Sequence, residues 1–330
     1  IEESAHIRSD YIIAAPDVAS VYEMPLILEN QELGKKILHH FRLAIHTQPV
    51  WQQWKNFVKH IMHPEKKRRI AIIGKYQDIG DYSLTDSYIS IYHALIHTGA
   101  SAGVGIDIEW INAQDFERHP ETLDRLAQCH GIIVPGGFGS SGVEGKIAAI
   151  SYARTHTIPY LGLCYGMQLA VIEFARNVCQ LTNAHTSEVD AHTLCPVITL
   201  LPVQETVLHD SNYGGTMRLG SWSASIKPGT KVHNLYKMFS GAWLDRNNVV
   251  HERHRHRYEV NPEYVPFLEE KGLVFSGKHV RADGTQLMEF VELADHPFFV
   301  GVQAHPEFKS RMGNPHPLFS AFIAAACRQG

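Results

Sequence analysis

The stretch Ile158-Pro159-Tyr160-Leu161-Gly162-Leu163-Cys164-Tyr165-Gly166-Met167-Gln168, continued by Leu169-Ala170-Val171-Ile172-Glu173-Phe174-Ala175-Arg176, changes its period partway along. The first part is a short apolar run behind a proline, enough for a buried strand. The second part sets Met167, Ala170, Val171 and Phe174 on one helical face. Between them a cysteine and two glycines share a single turn. A strand that ends Gly-x-Cys-x-Gly and runs into a helix is a nucleophile elbow with cysteine in the serine position. Glycine at 162 and 166 keeps the bend and the approach to it clear of side chains. The bend puts the Cys164 sulfur at a helix N-terminus, where exposed N–H groups favour a thiolate. A free cysteine is more often an inert core residue; the elbow context argues for a nucleophile here.

Working upstream from the elbow, residues 70–74, 106–111 and 131–134 read as buried strands. Residues 86–97, 121–128 and 145–154 read as the helices between and after them. The third strand runs into Pro135-Gly136-Gly137-Phe138-Gly139. This alternation predicts an α/β fold, a doubly wound and mostly parallel sheet of flavodoxin or Rossmann type with helices on both faces. Ligands then lie at the carboxyl ends of the strands, where Cys164 and the Gly136-Gly137 loop both fall. The loop alone says little about phosphate, and no Gly-Lys-Ser/Thr P-loop occurs. Downstream the pattern turns β-rich, which predicts extra antiparallel strands, including 215–220, 287–293 and 298–303, before a closing helix at 318–327. Residues 252–259 alternate Arg253, Arg255 and Arg257 with His254, His256 and Tyr258. Period two sends the arginines to one face and the aromatic rings to the other. His254 and His256 have no cysteine or acidic partner at ligand spacing, so no metal is expected.

Residues 1–45 hold a candidate strand, Tyr11-Ile12-Ile13-Ala14-Ala15, and helical periodicity over 33–43, too little for a core of their own. Residues 46–69 read as a linker containing an amphipathic helix with Trp51, Trp54, Phe57, Val58 and Ile61 on its stripe. Residues 70–330 form the main domain. A net charge of -4 and 44% hydrophobic residues give no support for nucleic-acid or membrane binding. Five cysteines without paired spacing, and no signal peptide, point to a reducing, cytoplasmic setting. The chain starts at Ile1 rather than methionine and reads as a piece of a longer protein.

A thiolate nucleophile needs a base, and the base needs an orienting group. His305-Pro306-Glu307 supplies them: two apart at a strand end, His305 and Glu307 are expected on the same side. Glu307 then holds one imidazole nitrogen and leaves the other for Cys164. Acyl transfer also needs an oxyanion hole. The backbone N–H of Tyr165 is its natural first donor, and Gly137 on the neighbouring loop its second.

On these residues the chain resembles a class I (triad) glutamine amidotransferase. More narrowly it resembles the glutaminase part of the ligases that aminate UTP to CTP, through 134–139, 142–146, 215–220, 252–261 and 295–311. Residues 1–45, with Asp17-Val18-Ala19-Ser20-Val21-Tyr22, resemble the end of the synthetase domain of those enzymes. The resemblance implies that Cys164 attacks L-glutamine to give a γ-glutamyl thioester and ammonia, with no cofactor for that step. ATP and Mg²⁺ would serve the synthetase domain, which this chain lacks, and GTP is a possible activator. It further implies that Glu188 binds the substrate α-amino group, that Arg257 and Tyr258 hold its α-carboxylate end, and that Gly137, Tyr165 and Gln168 line it. Ser141, Gly142 and Glu144 fall at a GTP lid. Two departures stand out: Tyr165 replaces the usual leucine after the nucleophile, with an expected effect on the pocket wall. Ser141 replaces an arginine tied to GTP activation, which removes a charge and five donors. The full-length enzyme is expected to be a homotetramer, and this piece a monomer or dimer. Two other readings fit the residues: a γ-glutamyl peptidase of the same fold, and a regulatory module inactive without its synthetase domain.

Overall fold

Ile70, Ala71, Ile72 and Ile73 are all fully buried, so this strand needs cover on both faces. The computed structural model describes residues 2–44, 51–75, 87–200, 217–238 and 243–329. It divides into two compact units, Ile1–Lys67 with Gly99–Gly105, and Arg68–Thr98 with Ile106–Gly330. The smaller unit carries helices α1 (Met24–Asn30), α2 (Leu33–His40) and α3 (Gln52–Met62). Ser20 starts the turn before α1 with a capping box closed by Glu23. On α3, Phe57 is buried and Trp54 Nε1 donates to Tyr22 O at 2.8 Å. The strand expected at Tyr11–Ala15 does not form. Ser9–Tyr11 is a 3₁₀ turn, and the backbone after it pairs with a side chain instead: Gln31 bonds both N–H and C=O of Ala14 at 2.8 Å.

The larger unit holds the strands β1 (Lys67–Gly74), β2 (Gly105–Asn112), β3 (Gly131–Val134), β4 (Tyr160–Leu163), β5 (Ala184–Thr186), β6 (Cys195–Thr199), β7 (Arg218–Ile226), β8 (Val249–His256), β9 (Glu259–Val260), β10 (Leu273–Val280), β11 (Gln286–Leu293) and β12 (Phe299–Val302). Among the described residues they make a nine-stranded sheet, β2-β1-β3-β4-β12-β11-β10-β7-β8, and a small sheet, β5-β6-β9. The pairs β1–β3, β3–β4 and β4–β12 are parallel. From β12 outward to β8 every pairing is antiparallel. The mostly parallel centre with added antiparallel strands is the predicted fold class.

Side-chain alternation sorts the core into two layers. Ala71, Ile73, Tyr160 and Phe299 pack on one face. Ile70, Ile72, Leu161, Leu163, Val300 and Val302 pack on the other. The helices are α4 (Ile89–Ala102), α5 (Ala113–Arg118), α6 (Val143–Thr155), α7 (Tyr165–Asn177), α8 (Lys231–Met238), α9 (Val265–Glu270) and α10 (Pro317–Ala326). Residues of α6 and α7 cover the first face, and residues of α4, α8 and α10 cover the second.

Three further expectations need correction. Residues 121–128 are a 3₁₀ rather than an α-helix, Pro120–Gln128. Leu123 and Leu126, three apart, meet the core once per three-residue turn. Second, α7 is not amphipathic: Tyr165 through Ala175 are all buried. The small sheet closes over it with Ala184, Val197, Ile198 and Val260 in the same apolar layer. Glu173, fully buried on α7, is met by Arg154 through a forked pair at 2.9 and 2.8 Å. Third, the short strand expected at 215–220 is the longer β7; Gly215 and Thr216 lie outside the described residues, as does Asp86 at the start expected for α4.

Candidate active site

Cys164 ends β4 and caps α7, with φ 51° and ψ -101°. A non-glycine residue holds such a backbone at a cost of about 1–3 kcal/mol, and such strain clusters where a side chain must be presented. The turn is pinned on both sides: Cys164 N–H donates to Val302 O on β12 at 2.7 Å, and Cys164 O accepts from Gln168 N–H at 3.2 Å. Gly166 is a packing necessity. A β-carbon there would sit 2.1 Å from Val134 O, because the first turn of α7 lies directly on the end of β3.

His305 leaves β12 and donates its backbone N–H to Arg253 O on β8 at 2.7 Å. Its Nδ1 is 2.8 Å from Glu307 Oε1. Strand alternation is not the cause, contrary to the sequence expectation. His305 caps the 3₁₀ turn Pro306–Lys309, and that turn brings Glu307 back beside it. The imidazole and the nucleophile flank Gly136. A β-carbon there would fall 2.9 Å from His305 Cε1 and 3.6 Å from Cys164 Cβ, so bare backbone is required between them. Burial opposes a charged imidazole at 305. The Cys164 sulfur and the Glu307 carboxylate, through charge and hydrogen bonds, outweigh that and push the His305 pKa well above the ordinary imidazole range. The arrangement can hold a cationic imidazole against a sulfur, orient it with a carboxylate and deliver its proton to a leaving group. Glu307→Gln is expected to lower kcat for amide hydrolysis about 10²-fold with KM little changed, read by steady-state kinetics.

Cys164, His305 and Glu307 open onto a cleft of about 580 Å³, which Gly136, Gly137, Phe138, Gln168, Glu188, Arg255, Arg257 and Tyr258 also line. Gln168 Nε2 donates to Tyr258 O at 2.8 Å and to Gln303 Oε1 at 3.1 Å, which fixes the cleft wall to α7. Glu188 Oε1 accepts the Gly139 N–H at 2.8 Å. The side chain of Tyr165 does not line the cleft, contrary to expectation. Its ring is buried and its hydroxyl donates to Gly139 O at 3.2 Å. Burial, then Glu188 and Glu144, raise its pKa, so it stays a neutral donor. Ser141, Gly142 and Glu144 are not in the cleft lining either. Ser141 Oγ accepts from Gln114 Nε2 at 2.8 Å, Gly142 caps α6, and Glu144 pairs with Arg176 at 2.8 Å.

Sequence reasoning missed Gln303, whose Nε2 donates to Cys164 Sγ at 3.7 Å, and Arg255, whose carbonyl accepts from that sulfur at 4.0 Å. An amide, Gln303, directly after the apolar run Phe298-Phe299-Val300-Gly301-Val302 and two residues before His305 was the available signal. The period-two reading of 252–259 holds as far as His256, with Arg253 and Arg255 exposed and His254 and His256 buried; Arg257 and Tyr258 lie past the end of β8, are both half-buried and both line the cleft. Beneath β8, Arg218 bonds Glu259 at 3.0 Å and Glu289 at 2.6 Å, and His256 meets Glu259 at 2.8 Å. This buried network anchors the strand that presents Arg255 and leads to Arg257. Among the described residues no group of three or more His, Cys, Asp or Glu is placed to hold a metal, and no helix is long and apolar enough to cross a membrane.

The chain belongs to the class-I glutamine amidotransferase family, whose model matches residues 83–325. Within that family it is similar to CTP synthases, and to their glutaminase domain in particular. It is 48% identical over 321 residues to the CTP synthase of Sulfurisphaera tokodaii, covering 97% of this chain and 56% of that protein. It is 45% identical over 325 residues to that of Methanocaldococcus jannaschii, again covering 97% of this chain and 56% of that protein. The chain therefore spans about half the length of the curated relatives it matches. The glutaminase domain of Trypanosoma brucei CTPS, solved with bound acivicin, matches with TM-score 0.70 and 35% identity, covering 80% of this chain and 95% of that one.

Proposed function

We propose that this chain hydrolyses L-glutamine to glutamate and ammonia, as the glutaminase part of a CTP-forming ligase. The observation that carries the reading is the strained Cys164 at the head of α7 beside the His305–Glu307 pair. The thiolate attacks the γ-carboxamide carbon, and the N–H groups of Tyr165 and Gly137 receive the oxyanion. His305 passes its proton to the leaving nitrogen, ammonia departs, and a γ-glutamyl thioester remains. Water, deprotonated by His305, then attacks the thioester and glutamate leaves. Glu188 takes the substrate ammonium, Arg257 with Tyr258 takes its carboxylate, and Gln168 lines the side.

In the whole protein the ammonia is consumed by a synthetase part that aminates UTP with ATP and Mg²⁺. Residues 1–45 are the end of that part, 46–69 the linker and 70–330 the glutaminase domain, in a cytoplasmic homotetramer. GTP stimulation, if present, acts without a charge at position 141.

The test is glutamate release from L-glutamine, competed with γ-glutamyl peptides. L-Glutamine is expected to be turned over and the peptides to compete poorly. Glu188→Gln, which removes the carboxylate facing the α-amino group, is expected to raise KM about tenfold or more with kcat changed only a few-fold, the loss expected for a charge-assisted bond of about 1.5–3 kcal/mol. Preferred turnover of peptides would overturn the reading.

A further inference from the structure

Lys146 has no part in the chemistry above. It stands on α6 with its side chain fully buried, and Nζ has no hydrogen-bond partner among the described residues. An ammonium left dry and unpaired is costly, so a lysine held this way needs a reason. Its surroundings supply one. A β-carbon at Gly137 would lie 3.6 Å from Lys146 Nζ, and the Tyr165 ring centroid is 5.5 Å from it. Gly137 and Tyr165 are the two residues whose N–H groups are assigned to the oxyanion.

We propose that Lys146 is a positioning residue of the oxyanion hole, its ammonium adding positive charge beside Gly137 and the Tyr165 ring as the tetrahedral oxyanion forms; this rests on the glutaminase reading. A charge in a dry site acts over several ångströms without touching the reacting atoms. The Tyr165 ring face steadies the cation without neutralising it. A fixed carboxylate partner would cancel the charge before the reaction needed it. Left unpaired, it acts most strongly in the transition state, where the oxyanion appears.

The charge is conditional. Burial, and then the neighbouring Lys75, bring the Lys146 pKa down to about 7. Tyr165 on α7 faces Lys146; Glu188 and Glu144 act on that tyrosine, and Glu188 acts on Lys75. Lys75 is the neighbour that acts on Lys146 directly, and burial lowers its own pKa as well. Lys146 is therefore charged below about pH 7, and the charge is lost as pH rises through that value.

The experiment is the kcat–pH profile for L-glutamine of the 330-residue chain and of Lys146→Met, with thermal unfolding of both. The wild type is expected to step down to a lower kcat as pH rises through about 7. Lys146→Met is expected to lack that step and to turn over about tenfold more slowly at pH 6. It should show little difference at pH 8.5, with KM unchanged and a Tm equal to or above the wild type. A variant profile that keeps the step, or a loss equal at every pH with raised KM and lowered Tm, overturns the proposal while leaving the glutaminase reading intact. A wild type that neither turns over L-glutamine nor is labelled at Cys164 by an electrophilic glutamine analogue overturns both.

Discussion

Replacing Cys164 with serine is expected to cut glutamine hydrolysis by more than about 10⁴-fold, the scale on which loss of a nucleophile acts in enzymes of this kind. The hydroxyl fits the same turn, so the folded state should survive. What is lost is a sulfur that can carry negative charge beside a protonated His305. The pairing raises the imidazole pKa through the sulfur and Glu307 together. An alkoxide is far harder to form than a thiolate, and the imidazolium then faces a neutral group. An electrophilic glutamine analogue should label the wild type once, at Cys164, and fail on the variant. Selectivity among the cysteines follows from their settings. Burial, and then Glu109, push the Cys129 thiol up to about 12, and burial raises Cys179. Thiols held protonated in this way are poor nucleophiles. Residual turnover above about one part in a hundred would mean that Cys164 is not the nucleophile.

The second large effect falls on the fold. Gly166→Ala puts a methyl group 2.1 Å from Val134 O and 3.2 Å from Val134 Cβ. The obstacle is a backbone carbonyl at the end of β3, so no side-chain rotation relieves it. Either α7 lifts from β3 or β3 bends. The first breaks the buried contacts of a helix covered on all sides, and the second disturbs the loop that begins at Pro135. A loss of about 3 kcal/mol is expected, at the upper end for overpacking, with Tm lowered by roughly 10 °C for a domain of this size. Differential scanning calorimetry decides it. An unchanged Tm would show that the helix start has slack that the close contact denies.

The elbow was legible in the sequence because its signals are local. A glycine, a cysteine and a glycine at the switch from strand to helical period leave few alternatives, and His305-Pro306-Glu307 sits within three residues. The parallel centre was legible for the same reason, since strands buried on both faces read as apolar runs. The β-rich second half was harder. β5 and β6 are short, and β10 carries a register shift around Gly277 that breaks its alternation. The buried environment of α7 was hidden because its outer cover comes from β5, β6 and β9, whose apolar faces are only three or fewer side chains long. Lys146 was unreadable, because a lysine in a helix is ordinarily solvated and burial is a tertiary property. Gln303 and the carbonyl of Arg255 reach Cys164 only through the pairing of β4 with β12 and the approach of β8, contacts 91 to 139 residues apart in sequence.

That pairing has a consequence for how the chain is made. β4 lies between β3, some thirty residues earlier, and β12, which begins at Phe299. A ribosome delivers the elbow long before it delivers the strand that pins Cys164 N–H or His305, the residue proposed as the base. Throughout synthesis of the intervening antiparallel half, the thiol therefore stands without its base and its turn without one wall. Such distant pairing folds slowly. On the glutaminase proposal, a nascent chain interrupted before residue 299 lacks both His305 and the strand that pins Cys164, and is expected to release no ammonia until nearly the whole sheet is present.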